Sequence, residues 1–436
     1  MLKIAIYTLG CKVNQADSQS IKEMFLKAGC EIVEPEEDAD VYIINTCVVT
    51  NVGQKKSKQH INHFIANRPN SLLVVTGCYP QTAEEEVKAL KGIDLIVGNQ
   101  DRANLFNMVM EQVKHRQPQK INLVRDIGAA REFEQLPAGT SNDKTRAFLK
   151  IQEGCNQYCS YCIIPYARGP LRSRSLDDIT AQVELLTEKG FKEVVLLGIH
   201  LGAYGKETGS TTTLYDAVKA ALAVPALQRL RLGSLECIEI DDRLLDLIAN
   251  EPRIAKHLHL PLQSGADSIL RAMKRPYTTQ EFATLVEKIR SKVPTISITT
   301  DVIVGFPGET EELFQDTYEF CKQLKFADIH IFPFSKRQGT PAETMPDQVT
   351  RRQKELRSDA LRKLKSAMKN EFAKQFVGTE QAVLIEQVSK AGYSNGYTSN
   401  YIRVYVKLPT DSSNELVNVQ ILDNIHQDGI NAKIID

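Results

Sequence analysis

Nine cysteines are the residues of this 436-residue chain best suited to chemistry, and six of them fall into two arrangements. Cys155, Cys159 and Cys162 form C-x3-C-x2-C in the segment Gly154-Cys-Asn-Gln-Tyr-Cys-Ser-Tyr-Cys-Ile-Ile-Pro-Tyr-Ala-Arg-Gly169. A loop of this spacing wraps three thiolates around three corners of one cubane iron–sulfur cluster. Closed electron-transfer clusters take four cysteines, so three leave one iron free to bind a substrate or cofactor. The competing reading is a zinc site completed by a distant His or Cys, although zinc motifs more often show C-x2-C pairs. Cys11, Cys47 and Cys78 are scattered, yet each directly follows a strand-like run, after Leu9-Gly10, Asn45-Thr46 and Thr76-Gly77. In an open α/β sheet the C-terminal strand edge is the ligand edge, so these thiols would share one rim and one second cluster. Cysteines that only fill a core would fall anywhere along a strand. Cys30, Cys237 and Cys321 have no such placement and read as small core hydrophobes.

An odd cysteine count argues against a disulfide framework, and the segments around it point to the cytoplasm. The apolar run 2–9 is short and is followed by Gly10, Cys11 and Lys12 rather than a cleavage site. No run approaches the ~20 apolar residues that span a bilayer, which excludes a membrane role. Composition is that of a soluble globular protein, 42% hydrophobic and 25% charged. The formal net charge is zero, so any preference for nucleic acid must come from local patches.

Length calls for two or three domains. In the first ~115 residues, strand-like runs at 3–9, 40–45, 72–76 and 95–97 alternate with helical patterns at 18–28, 54–66, 83–90 and 103–114, the rhythm of an open parallel α/β sheet. Residues 116–144 lack periodicity and read as a linker. Six further βα units follow, with strands at 147–151, 193–197, 230–233, 257–260, 296–304 and 328–332. They suggest a closed or partly open barrel with its chemistry at the strand C-termini, a doubly wound sheet being the competing layout. A long basic helix at 351–376 leads into a β-rich tail punctuated by Gly392, Gly396 and Pro409, with the dimensions of a small β-barrel. The expected division is 1–115, 116–144, 145–374 and 375–436.

C-x3-C-x-Tyr-C after the first strand of such a series is the signature of the radical S-adenosylmethionine superfamily. The fuller segment resembles the methylthiotransferases within it. So do Gly10-Cys-Lys-Val-Asn-Gln15, Asn45-Thr-Cys47, Thr76-Gly-Cys78, Leu260-Pro-Leu-Gln-Ser-Gly265 and Ile303-Val-Gly-Phe-Pro-Gly-Glu309. The resemblance implies an N-terminal α/β domain, a partial (β/α)6 barrel and a C-terminal TRAM barrel. It implies two [4Fe-4S] clusters, on Cys11, Cys47 and Cys78 and on Cys155, Cys159 and Cys162, with S-adenosylmethionine as cosubstrate. The barrel cluster would cleave S-adenosylmethionine to a 5′-deoxyadenosyl radical, and the other would supply sulfur. The resemblance places Tyr161, Gly198, Ser234, Glu236, Gln263 and Ile303 around S-adenosylmethionine, with no side chain as catalyst in its own right. An external electron donor such as flavodoxin or ferredoxin, and a monomeric enzyme, complete that expectation.

Basic residues concentrate locally. Lys55, Lys56, Lys58 and Arg68 lie in the helical stretch after Cys47; Arg168, Arg172 and Arg174 follow the three-cysteine loop; the segment 351–374 carries nine Lys or Arg against three acids. Two of these patches adjoin cluster ligands, which suits a polyanion, and Lys55, Lys56, Arg168, Arg172 and Arg174 are the expected RNA contacts. The tail has four basic and seven acidic side chains, so it would hold RNA through Tyr393, Tyr397 and Tyr401. His200, His257 and His259 receive no role. The cysteine contexts resemble the branch acting on threonylcarbamoyladenosine next to the anticodon of tRNA. The alternatives are the branch acting on isopentenyladenosine and the one acting on a ribosomal protein.

Overall fold

A computed structural model describes residues 1–117, 119–140, 145–207, 209–388, 393–408, 412–426 and 428–435. Gly392 and Pro409, expected as turn residues, lie outside the described residues. The N-terminal layer is a six-stranded parallel sheet of β1 (Lys3–Thr8), β2 (Glu31–Val33), β3 (Val41–Thr46), β4 (Leu72–Gly77), β5 (Leu95–Ile96) and β6 (Ile121–Asn122), ordered β2-β1-β3-β4-β5-β6. β3 and β4 are buried at every position, as a central parallel strand covered on both faces must be. Sequence periodicity missed β2 and β6, which are too short to show alternation, and β6 falls inside the expected linker. The first helix spans Lys12–Lys27 and starts six residues before the expected 18–28. Its opening turn, Val13-Asn14-Gln15-Ala16-Asp17, packs against the second domain, so single-domain periodicity does not reveal it.

The second unit contains β7 (Arg146–Glu153), β8 (Arg172–Ser173), β9 (Glu193–Gly198), β10 (Arg229–Leu232), β11 (His257–His259), β12 (Ser297–Val304) and β13 (Asp328–Pro333). β10, β9 and β7 pair in parallel, as do β11, β12 and β13, and the bridge Ser234↔His259 joins the two sheets. The result is a six-stranded parallel arc, an open barrel rather than a doubly wound sheet. β13 is its free edge, while β8 hangs antiparallel on β7. Leu149, Ile151, Leu196, Leu230, Leu258, Val302 and Ile329 alternate outward into the core beneath the helices. The residues between them face the lumen.

The tail is a closed barrel of β14 (Glu380–Val388), β15 (Tyr393–Thr398), β16 (Arg403–Lys407), β17 (Leu416–His426) and β18 (Gly429–Ile434), ordered β14-β15-β16-β18-β17. It caps the N-terminal ends of the arc. Arg229 donates to Tyr397 O (3.1 Å) and Ala382 O (2.9 Å), Arg231 to Ser399 O (3.0 Å), and Tyr401 stacks on His257. Tyr397 stacks in turn on Tyr401, with Arg146 over both rings. Two of the three tyrosines expected to hold RNA are therefore spent on this interface, a correction that follows from the buried arginines they cover. Among the described residues no helix is long and apolar enough to cross a membrane.

Candidate active site: two sets of three thiols

Glycine turns deliver two of the rim cysteines. Gly10, two residues past β1, and Gly77, the last of β4, adopt φ +107° and +97°, a region closed to side chains; a Cβ on Gly10 would lie 2.9 Å from Cys47 Sγ. Cys11 then precedes the helix Lys12–Lys27, and Cys78 opens the short helix Cys78–Thr82. Asn14 Nδ2 donates to Leu9 O (2.7 Å) and Thr46 O (2.8 Å), tying the ends of β1 and β3 together. Ser57 clamps Cys47 by accepting from its N–H (3.1 Å) and donating to its carbonyl (2.9 Å). Burial pushes the Cys47 thiol up to about 11, with Cys78 and Cys11 near enough to add to the shift.

The second set sits on the loop after β7. Gly154, at φ +78°, lets the chain pass against Pro170, whose carbonyl a Cβ would strike, and Cys155 N donates to Gly169 O (3.0 Å). Arg275 Nη1 lies 3.4 Å from Cys159 Sγ, and His200 Nδ1 lies 3.6 Å from Cys155 Sγ with Glu239 2.8 Å behind its other nitrogen. Burial pushes Cys162 up to about 12. All nine cysteines are free. Among the described residues, the one group of three His, Cys, Asp or Glu whose ligand atoms all lie within 4.8 Å of one another is His259, Asp301 and His330. Both cysteine sets thus stand wider than a single ion requires, and each is met by N–H donors of the kind that stabilise thiolate sulfur. The residues present fit a cubane cluster at each set.

One buried network joins the two sets. Asp17, on the helix that follows Cys11, accepts from Arg102 (2.5 Å), Lys150 (2.5 Å) and Arg168 (2.9 Å). Glu153, two residues before Cys155, meets Lys150 (2.7 Å), Arg168 (3.2 Å) and Arg102 (3.3 Å). Arg168 Nε reaches Cys78 Sγ at 3.3 Å, and its Nη2 bonds the Asn14 side chain. Burial alone would raise both carboxyls, but the cations outweigh it. They hold Asp17 well below the usual carboxylate range and Glu153 down to about 2. Val13 and Ala16 also pack on Phe148, Val195 and Leu197, the lumen face of β7 and β9. From the other side, Arg337 and Ser335, after β13, bond Asn51 and Gln54 at the start of the helix that follows Cys47. The first rim is thereby held over the open end of the barrel.

The six residues expected around S-adenosylmethionine stand at strand ends or on the cysteine loop. Arg275 links Cys159 to Glu236, so that carboxylate is already engaged. Gly198 ends β9 where a Cβ would lie 2.8 Å from Gln152 Oε1. Gln263 adopts φ +67° and its carbonyl accepts from Ile303 N (2.9 Å). Ser234 bridges β10 to His259, and Tyr161 meets Phe306 edge-on at 6.5 Å.

The basic patches divide. Lys55 and Lys56 are exposed on the helix Asn51–Asn67. Arg168, Arg172 and Arg174 are buried, and the expectation that they meet RNA is corrected: Arg168 serves the network above, Arg172 bonds Arg168 O (2.6 Å), and Arg174 pairs with Asp178 (2.6 Å). Charge along the sequence could not distinguish an inward from an outward arginine. Asp17, Arg102, Lys150, Glu153 and Arg275 were missed altogether. The one available signal was a charged side chain within a few residues of a cysteine, which Asp17 and Glu153 satisfy.

The family model described as "Uncharacterized protein family UPF0004" matches residues 3–98, and that of the radical SAM superfamily matches residues 149–321. The chain is 42% identical over 426 residues to the threonylcarbamoyladenosine tRNA methylthiotransferase MtaB of Bacillus subtilis, covering 97% of this chain and 94% of that protein. It is 40% identical to the protein of the same name from Aquifex aeolicus (92% and 96%). It is 33% identical to the tRNA-2-methylthio-N(6)-dimethylallyladenosine synthase of Acetivibrio thermocellus (95% and 87%). Among solved structures, the radical S-adenosylmethionine methyltransferase TsrM of Kitasatospora setae shares the fold at 15% identity, with a TM-score of 0.58 over 88% of this chain and 78% of that one.

Proposed function

The chain belongs to the radical S-adenosylmethionine methylthiotransferase family, and on that premise we propose that it acts on tRNA, replacing C2–H of an N6-threonylcarbamoylated adenosine next to the anticodon with C2–S–CH3. No side-chain base ionises a C–H bond on an aromatic ring, so the cofactor must carry the hard step. Cys155, Cys159 and Cys162 would hold the cluster that, with S-adenosylmethionine, supplies the 5′-deoxyadenosyl group that takes the C2 hydrogen, and Cys11, Cys47 and Cys78 would hold the one that supplies the sulfur, with the methyl group coming from a second S-adenosylmethionine. The protein's own residues hold the two sets in fixed relation. Asp17 and Glu153 share three cations across the domain boundary, and Arg168 ends at Cys78. Arg275 and His200 place N–H groups against Cys159 and Cys155. The helix Lys12–Lys27 covers the apolar lumen wall at Phe148, Val195 and Leu197, which keeps water off that side of the barrel. Lys55 and Lys56, exposed beside the rim, would meet the phosphate backbone.

The observation that carries this reading is the pair of three-thiol sets locked together by one buried ionic network. The test is incubation of the reconstituted enzyme with threonylcarbamoylated tRNA, isopentenylated tRNA and purified ribosomal protein, each followed by mass analysis. A methylthio gain of mass on threonylcarbamoyladenosine is expected; gain on either other substrate alone contradicts the proposal.

A further inference from the structure

The lumen of the open barrel holds a polar cluster that the cysteine sets leave unused. Leu258, Val302, Ile329 and Ile331 point outward into the helix-covered core, so His259, Asp301 and His330 point into the lumen from β11, β12 and β13. His259 Nε2 lies 3.2 Å from Asp301 Oδ1, its Nδ1 lies 2.9 Å from Thr299 Oγ1, and its ring centroid lies 5.4 Å from that of His330. The cluster is reachable: His330 and its lumen-facing neighbour Phe332 are exposed on the free edge strand. Across the barrel, Phe148, Val195 and Leu197 are buried beneath Val13 and Ala16 of the helix Lys12–Lys27, so the cluster opens towards the free edge at β13.

We propose that His259, Asp301 and His330 form the subsite that reads the threonylcarbamoyl substituent of the base; this rests on the function proposed above. The substituent offers urea N–H groups and a hydroxyl, which the Asp301 carboxylate accepts, and a carboxylate, to which the His330 imidazole donates. An isoprenoid substituent offers none of these and would leave the cluster unpaired. A site built on polar groups rejects a ligand lacking their partners far more strongly than an apolar pocket rejects an extra group. The cluster therefore sets specificity rather than chemistry.

The test uses full-length, cluster-loaded enzyme and two anticodon stem–loop RNAs that differ only in carrying threonylcarbamoyladenosine or adenosine next to the anticodon. The wild type should prefer the modified RNA. His330→Ala and Asp301→Asn should each cut that preference about tenfold, the cost of losing one hydrogen bond to a charged group. The loss should fall on the modified RNA, and His330→Gln, which keeps a donor, should restore part of it. An unchanged preference, or equal losses on both RNAs, overturns the proposal. So does stoichiometric zinc, manganese or nickel in the wild type that disappears in His330→Ala, because the cluster would then be a metal site. If the wild type thiomethylates threonylcarbamoylated tRNA while the preference stays put, the subsite fails and the function stands; if it leaves that tRNA unmodified, the function fails.

Discussion

Replacing Asp17 by Asn removes one charge and keeps the shape, and it strikes the network that joins the two cysteine sets. Asp17 is fully buried and meets three cations, all three of which Glu153 also meets. Breaking one partner of a buried ionic group costs about 3–5 kcal/mol, because the remaining charges stay buried without compensation. For a unit of barrel size, about 2–4 °C per kcal/mol translates this into a fall of roughly 10 °C in the thermal midpoint. Lys322–Glu319 is the control: both side chains are more than half exposed, and breaking the pair should move the midpoint by little. The pH dependence has a definite sign. Both carboxyls titrate below their unfolded values, so they contribute stability above the unfolded pKa and lose it as pH falls through the folded one, which is about 2 for Glu153. Wild-type midpoints should therefore drop as pH falls from about 5 towards 2, and Asp17→Asn should flatten that slope. The assay is scanning fluorimetry of cluster-loaded protein across pH. A midpoint within about 2 °C of wild type at neutral pH would refute the reasoning, because it would mean that the network is worth less than ~1 kcal/mol.

Two further outcomes follow from the thiols. Cys155→Ala, Cys159→Ala and Cys162→Ala should each abolish 5′-deoxyadenosine formation, measured by chromatography of quenched reactions. Normal turnover in any one of them would remove that set from the chemistry. Burial holds the Cys47 and Cys162 thiols protonated up to about 11 and 12, so cluster assembly must displace protons. Reconstitution of iron should accordingly quicken as pH rises from about 7 to 9, and a flat rate profile contradicts it.

Much of the fold was legible because the barrel repeats one pattern. Each of its six strands lies within a residue or two of its expected bounds, since outward apolar residues alternate with lumen-facing ones between the helical periods. The opening turn of Lys12–Lys27 was illegible for a physical reason. Its buried face, Val13 and Ala16, meets another domain, and Asp17 reads as a surface residue until Arg102, Lys150 and Arg168 surround it. The same holds for Arg168, whose neighbours in sequence suggest an RNA clamp and whose neighbours in space are carboxylates and a cysteine. The cysteines announced themselves through spacing and strand ends. His259, Asp301 and His330 did not, because strands β11, β12 and β13 bring them together from distant segments.

The central claim is that the two thiol sets hold two clusters with separate roles, and the triple variant Cys11→Ala, Cys47→Ala, Cys78→Ala tests it most directly. These three cysteines end strands of a different sheet from the one that leads to Cys155, so the barrel and its loop should stand without them. After anaerobic reconstitution, iron should fall from about eight to about four per chain, as when one of two cubane clusters loses its ligands. Mass analysis should still find 5′-deoxyadenosine but no methylthiolated nucleoside in digested tRNA. A variant that methylthiolates tRNA at a rate near that of the parent would contradict the claim and leave the strand-end placement of the three cysteines without a function.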